Sequence, residues 1–143
     1  MSITAVNSIT PERIPARNLT GGAADDGALQ PVRCLRVLLL KPYQHVVASI
    51  QSPPLGLLYL VSTIREKFRG ADIDVRVVDM KVAEMSDRDL VPTLQSFQPD
   101  VIGFSALNYE AQASYNVART AKQLNPAVIT VMGGPYALNN SAA

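Results

Sequence analysis

The sequence predicts an α/β domain with a doubly wound parallel sheet, and three observations support this fold class. Short apolar runs alternate with segments of helical periodicity, which is typical of βαβ units. The central runs contain almost no polar residues, as expected when helices cover both faces of a sheet. Loops with proline, glycine or serine follow the first, third and fourth runs, where the predicted strands end.

Four strands are predicted, at residues 35–40, 73–78, 100–104 and 128–132. Right-handed crossovers between them favour the spatial order 2-1-3-4. A sheet of this kind ordinarily continues into a fifth strand. The residues after Met132 leave no room for one, so the domain is expected to be truncated after the fourth strand and incomplete at its C-terminus.

The first predicted helix covers about residues 54–68. Pro54 suits its first turn, where the missing N–H has no helical partner, and Gly70 supplies a stop. Apolar residues recur at the spacing of one helical face and are expected to be buried. They are Leu57, Leu60, Val61, Ile64 and Phe68.

Two further helices are predicted. The second opens at Ser86 as a cap with aspartates in its first turn, and Pro92 should kink or delay it. The third covers about residues 110–124 and ends at Asn125-Pro126. The residues expected to be buried are Leu90, Leu94, Phe97, Val117, Ala118, Ala121 and Leu124.

Composition and charge argue against several function classes. With 48% hydrophobic and 17% charged residues, the 143-residue chain fits one ordinary globular domain. A net charge of +1 without a basic run gives no electrostatic basis for binding nucleic acid. No apolar run is long enough to span a membrane, so no membrane partner and a cytoplasmic location are expected.

The chain is expected to have two parts. Residues 1–33 lack periodicity and are rich in small and polar residues, which predicts a flexible leader, and residues 34–143 form the α/β domain. The only cysteine, Cys34, is expected to be buried as an apolar residue. One thiol excludes both an intrachain disulfide and an iron–sulfur cluster held by this chain alone.

The predicted ligand site lies outside the carboxyl ends of the strands, at the switch between the first and third strands. Loops at 41–53, 105–108 and 133–135 are expected to reach it. Gly133 and Gly134 let a ligand approach the backbone, and Ser105 and Asn108 offer polar groups. Taken alone, residues 133–135 are also explained as a simple turn.

Five motifs at the predicted strand ends follow one another with a family-like spacing. They are Leu38-Leu-Leu-Lys-Pro42, Pro53-Pro-Leu-Gly-Leu-Leu-Tyr-Leu60, Val78-Asp79, Pro99-Asp-Val-Ile-Gly-Phe-Ser105 and Met132-Gly-Gly-Pro135. Their succession resembles the N-terminal cobalamin-binding domain of B12-dependent radical S-adenosylmethionine enzymes. The resemblance implies a flavodoxin-like fold that holds the corrin ring against the carboxyl edge of the sheet and buries the nucleotide tail beside it.

The resemblance also implies cobalamin as the cofactor and a radical S-adenosylmethionine catalytic domain, on a longer or separate chain, as the partner. The Cys-x-x-x-Cys-x-x-Cys motif of that catalytic domain is absent from this sequence, so the chain alone is expected not to catalyse the reaction. The candidate cofactor-binding residues are Pro42, Tyr43, Leu55, Gly56, Ser105, Ala106, Leu107, Asn108, Gly133, Gly134, Pro135 and Tyr136.

His45, the only histidine, is a candidate cobalt ligand because some cobalamin domains use the histidine of an Asp-x-His-x-x-Gly motif. The corresponding segment here is Tyr43-Gln-His-Val-Val-Ala48, which lacks the aspartate that would orient the imidazole. The sequence therefore favours base-off cobalamin without a histidine ligand, and His45 as a loop residue.

Other functions have weaker support. Asp79 ends the second predicted strand, but no Gly-x-Gly-x-x-Gly turn follows the first, which disfavours a nicotinamide enzyme. The sequence lacks the acidic residues that a phosphoacceptor domain needs at the ends of the first and third strands. It also lacks the Ser/Thr-rich phosphate loop that a flavin site needs after the first strand. Asp79 is therefore expected to be a loop or capping acid, and Lys41 a solvated charge. A cofactor-free module for protein interaction or oligomerisation through an uncovered fourth strand stays an alternative.

Overall fold

The described part of the chain contains four strands, each within one residue of its predicted bounds. The computed structural model describes residues 34–43 and 53–140, so the predicted leader at 1–33 lies outside the described residues. The elements in chain order are β1 (Leu35–Lys41), α1 (Leu55–Lys67), β2 (Ile73–Asp79), α2 (Val91–Phe97), β3 (Val101–Ser105), a short 3₁₀ helix (Asn108–Glu110), α3 (Ala111–Leu124), β4 (Ile129–Gly133) and α4 (Pro135–Asn140).

The strands form one parallel sheet in the order β2-β1-β3-β4, as predicted. Successive side chains of each strand point to opposite faces of the sheet, and both faces are apolar, so helices pack on both of them. On one face, Leu38 and Leu40 of β1 pack with residues of α2 and α3. On the other face, Val37 and Leu39 pack with α1. This arrangement confirms the doubly wound, flavodoxin-like fold class.

Helix α1 buries a narrower face than its periodicity predicts. Leu57 and Val61 are buried, but Leu60 and Phe68 are 48% and 56% exposed, so the prediction is wrong at those two positions. The reason is that α1 packs mainly on β1 and β2, so only a narrow face of the helix is covered. Gly70, with φ +92°, follows the helix as the expected stop.

Helix α2 begins later than predicted, at Val91 instead of Ser86. Pro92 therefore lies in the first turn, where no helical hydrogen bond is lost, and causes no kink. Ser86 does not cap the helix. Its N–H and Oγ donate hydrogen bonds of 2.8 and 2.6 Å to Asp89 in the turn before α2. These bonds to Ser86 lower the pKa of the Asp89 carboxyl.

The last helices show one confirmation and one omission. Helix α3 ends at Leu124 as predicted and buries Val117, but Leu124 itself is 44% exposed. Helix α4 is absent from the sequence-based prediction, which assigned residues 133–135 to a loop. No helix in the described part of the chain is both long and apolar enough to cross a lipid bilayer.

Cys34 precedes β1 at the amino edge of the sheet and is only partly buried, so the prediction of a buried residue is wrong. A residue before the first strand lacks the cover that helices give to the strand interior. Partial desolvation still raises the pKa of its thiol, and a hydrogen bond with Asp72 adds to this rise.

Candidate cofactor-binding edge

The four strands end side by side at the edge where the ligand site is predicted. Lys41 and Asp79 are register partners at the ends of β1 and β2, and Ser105 and Gly133 are partners at the ends of β3 and β4. The β1–β3 register places Lys41 next to Ser105. We call these four residues the strand-end row. Strand alternation places the row on the α1 side of the sheet.

Two of the predicted loops form one hydrogen-bonded unit. The Ala106 N–H donates to the Gly133 carbonyl at 3.2 Å, and the Tyr136 N–H donates to the Ala106 carbonyl at 3.1 Å. We call residues 105–107 and 133–136 together the loop junction. Because these contacts join main-chain atoms, the junction holds the segments that follow β3 and β4 in a fixed relative position.

Gly134 is required by the geometry of this junction. Its φ is +82°, and an added Cβ would lie 2.9 Å from both the nitrogen and the oxygen of Ala106. At Gly133 an added Cβ would lie 3.4 Å from the Phe104 carbonyl oxygen, which is an ordinary contact. The structure therefore explains Gly134 by packing, whereas Gly133 is left available for a ligand-related role.

A buried carboxylate fixes the segment after β3. Glu110 is only 4% exposed, and its Oε2 accepts a 2.8 Å hydrogen bond from the Leu107 N–H. The fully buried Ser114 donates its Oγ proton to the Glu110 carbonyl at 3.1 Å. The sequence-based prediction missed Glu110. The available signal was an acidic residue three positions after Leu107, in the spacing of a helix capping box.

The candidate binding residues differ in exposure: some lie on the surface of the edge, and others are buried beneath it. Leu55 is 70% exposed and Leu107 is 37% exposed, so both present apolar surface. Pro42 and Ala106 are buried and support the edge from within. Gly56, Asn108 and Pro135 are exposed, whereas Tyr43, Ser105, Gly133, Gly134 and Tyr136 have intermediate exposure.

Tyr136 links the loop junction to α3. Its ring meets the Tyr115 ring edge to face, with centroids 6.3 Å apart and planes at 85°. The two hydroxyl oxygens are 3.5 Å apart. This contact with Tyr115 raises the pKa of the Tyr136 phenol. Tyr136 therefore packs partly within the protein and is not solely a surface for a ligand.

Lys41 and Asp79 form an ion pair in the strand-end row. Lys41 Nζ lies 3.6 Å from Asp79 Oδ2, and the two side chains are only 15% and 11% exposed. The prediction of a solvated Lys41 is therefore wrong, because the registered carboxylate of β2 draws the ammonium into the edge. Asp79 is predicted to be a loop or capping acid, and the loop role is confirmed, since its Oδ1 accepts hydrogen bonds from the Lys81 and Val82 N–H groups of the turn after β2.

The candidate cobalt ligand His45 lies outside the described residues. His45 lies between the described ranges 34–43 and 53–140, so its role stays a prediction. Within those ranges, no three His, Cys, Asp or Glu side chains cluster as a metal site.

Two curated proteins are similar to this chain over 103 residues, which are 70% of its length. An uncharacterized methyltransferase of Pyrococcus horikoshii is 33% identical, and 21% of its length is covered. The anaerobic magnesium-protoporphyrin IX monomethyl ester cyclase of Rubrivivax gelatinosus is 28% identical, and 18% of its length is covered. The chain thus spans about a fifth of these relatives. No solved structure matches significantly.

A family model described as the B12 binding domain matches residues 46–140, which is more than half of the chain. The matched range includes α1, the whole loop junction and three of the four strands. The match confirms the resemblance predicted from the strand-end motifs. This chain belongs to the B12 binding domain family.

Proposed function

We propose that the chain binds cobalamin at the carboxyl edge of its sheet, as the cofactor-holding portion of a B12-dependent radical S-adenosylmethionine enzyme. The observation that carries the proposal is the loop junction, where backbone hydrogen bonds and Gly134 bring the segments after β3 and β4 together. The family match supports cobalamin as the ligand.

The residues at this edge fit a large, flat cofactor. Gly133 and Gly134 have no side chains to keep a ring away from the backbone, and Leu107 offers partly exposed apolar surface beside them. At Gly56 an added Cβ would meet nothing within 4 Å, so the start of α1 also leaves open space. Cobalamin would supply the cobalt chemistry, and this chain would bind and orient the cofactor.

A radical S-adenosylmethionine partner domain is the finer part of the proposal. Its support is the succession of strand-end motifs, which resembles the cobalamin-binding domain of that enzyme class, together with the 28% identity to the anaerobic cyclase of Rubrivivax gelatinosus. Co-expression with a candidate domain that carries the cluster motif tests this part. Co-purification of both chains with iron and cobalt is expected, and separate elution would contradict a stable association.

The binding proposal is tested by anaerobic titration with hydroxocobalamin and methylcobalamin, followed by gel filtration and visible spectroscopy. One-to-one retention with a base-off spectrum is the expected result. A Gly133→Val variant should weaken retention by about tenfold or more, because its side chain would occupy the edge without a severe backbone clash.

Ala127→Val is the matched control, because Ala127 is exposed in the turn before β4, at the opposite edge of the sheet. It introduces the same valine side chain at a position away from the proposed site and should leave retention unchanged. A folded wild-type protein that retains no cobalamin would refute the binding proposal.

A further inference from the structure

The Lys41–Asp79 pair is unusual for a structural ion pair, because it is shielded and yet one carboxylate oxygen of Asp79 has no hydrogen bond within the described residues. The 3.6 Å separation of Nζ and Oδ2 is longer than a hydrogen bond. Asp79 Oδ2 is buried and accepts no hydrogen bond from the described residues. Asp79 Oδ1, in contrast, is fixed by the two N–H groups of the turn after β2. The carboxylate is therefore held in place with one oxygen directed to Lys41.

Stability does not account for such a pair. Removing two charges from water costs free energy, which is recovered only when the geometry is good and the remaining hydrogen-bonding groups are satisfied. Replacing partly buried ion pairs by apolar residues is often neutral or stabilising. A buried polar atom that lacks a hydrogen bond, at the edge where the cofactor is proposed to bind, calls for an explanation other than stability, such as a role in binding.

The position of Lys41 points to the same edge as the loop junction. Lys41 lies between Asp79 and Ser105 in the strand-end row, one residue before the candidate binding residue Pro42. Its main chain is tied to the end of β2 by the hydrogen bond from the Met80 N–H to the Lys41 carbonyl. About 15% of its side chain stays accessible, so Lys41 is not fully enclosed by the protein.

We propose that Lys41 binds an oxygen atom of the cofactor, and that Asp79 is the residue that positions the Lys41 ammonium for this contact. An ammonium has three N–H donors, so it can bind Asp79 and a ligand oxygen together. Cobalamin offers oxygen acceptors in two places, the amide carbonyls around the corrin and the phosphate and ribose of the nucleotide tail. This inference rests on the proposed cobalamin-binding function.

The test compares dissociation constants for hydroxocobalamin in the full-length chain and its variants. Lys41→Met removes the ammonium at similar volume and should weaken binding about tenfold. Lys41→Arg keeps a charged donor and should retain part of the affinity. Asp79→Asn keeps the shape of the positioning side chain but not its charge, and should weaken binding less than Lys41→Met. Lys122→Met removes an exposed charge at the end of α3, and should bind normally.

Dicyanocobinamide, which lacks the nucleotide tail and its phosphate, identifies the oxygen. A tenfold effect of Lys41→Met on hydroxocobalamin that disappears with dicyanocobinamide assigns the contact to the nucleotide tail. An equal effect on both ligands assigns a corrin amide. Urea unfolding of the unliganded variants separates binding from folding. Lys41→Met leaves the shielded Asp79 carboxylate without its partner and should lose stability. The double variant Lys41→Met/Asp79→Asn carries neither charge, so its stability should be closer to that of the wild type while its binding stays about tenfold weaker.

Two results would overturn the inference. One is unchanged affinity of Lys41→Met in a chain whose wild type binds cobalamin, which leaves the proposed function intact. The other is normal affinity of the double variant Lys41→Met/Asp79→Asn, which would trace the loss in Lys41→Met to the uncompensated Asp79 carboxylate and make the pair structural. Failure of the folded wild type to bind cobalamin refutes the proposed function itself.

Discussion

The adjacent residues Gly133 and Gly134 are glycines for different reasons. Its positive φ and the close Ala106 backbone exclude any side chain, whether or not a ligand binds. Gly133 has ordinary contact distances and a place in the strand-end row. A sequence motif of two glycines therefore contains one residue that the fold requires and another whose role is open to a ligand test.

Gly134→Ala should lower the free energy of unfolding by about 2 kcal/mol, because alanine is strained at this φ and its Cβ would press on Ala106. Urea denaturation of the unliganded chain measures the effect. Gly56→Ala is the control, since its Cβ meets no atom within 4 Å, and it should not destabilise the chain. Equal stabilities of Gly134→Ala and the wild type would contradict the described junction.

His45→Ala tests the prediction of base-off cobalamin without a protein ligand. The segment around His45 lacks the aspartate that would orient an imidazole towards cobalt, so the variant should give the same visible spectrum with bound cobalamin as the wild type. Spectra recorded anaerobically at saturating cobalamin provide the measurement. A shift of the cobalt absorption bands on substitution would establish ligation by His45.

Individual residues show where sequence reasoning succeeds and where it stops. The carboxyl edge and its glycines follow from strand order, because strand ends of a parallel sheet meet at one edge. The capping contact of Glu110 and the burial of Lys41 depend on which side chains become neighbours in space. Spacing along the chain reveals the first kind of information and only hints at the second.

The helices illustrate a similar division at the scale of an element. Periodicity identifies α1 and its direction of packing, but the width of its buried face depends on how many strands lie beneath it. Leu60 and Phe68 are apolar at the right spacing and still exposed. In α2, the proline that suggested a kink instead marks the first turn, because Ser86 and Asp89 close a separate turn ahead of it.

The turn before α2 predicts a small pH dependence of stability. Hydrogen bonds from Ser86 lower the folded-state pKa of Asp89 below its ordinary value of 3.8. A lowered folded pKa stabilises the fold above the unfolded pKa, and this contribution is lost as the pH falls through the folded value. Asp89→Asn should therefore be less stable than the wild type near pH ~6, with a smaller difference near pH ~3.

Urea midpoints of the wild type and Asp89→Asn at both pH values test this dependence. Asp87→Asn is the matched control, because it removes one negative charge and leaves the hydrogen bonds between Ser86 and Asp89 in place. A destabilisation of Asp89→Asn that is equal at both pH values would show that ionisation of Asp89 is not its cause.

At the scale of the whole molecule, ligand binding and folding should be linked. Cobalamin that binds only the folded chain should add about 2.7 kcal/mol of stability at a free concentration of a hundred times its dissociation constant. For a domain of about 100 residues this corresponds to a rise in Tm of roughly 10 °C or more. Thermal unfolding followed by circular dichroism measures the rise. An unchanged Tm at saturating cobalamin would contradict specific binding to the native fold.

Strand β4 carries a consequence for how the purified chain behaves in solution. Ile129 and Val131 are 58% and 51% exposed on the side of the sheet where α1 covers its other half. In the described part of the chain nothing shields this strip, which ends next to the cofactor edge at Gly133. The purified chain is therefore expected to self-associate through this strip, with light scattering that rises with protein concentration and salt. Affinities for cobalamin are best measured at low protein concentration, where self-association through this strip does not compete with ligand binding.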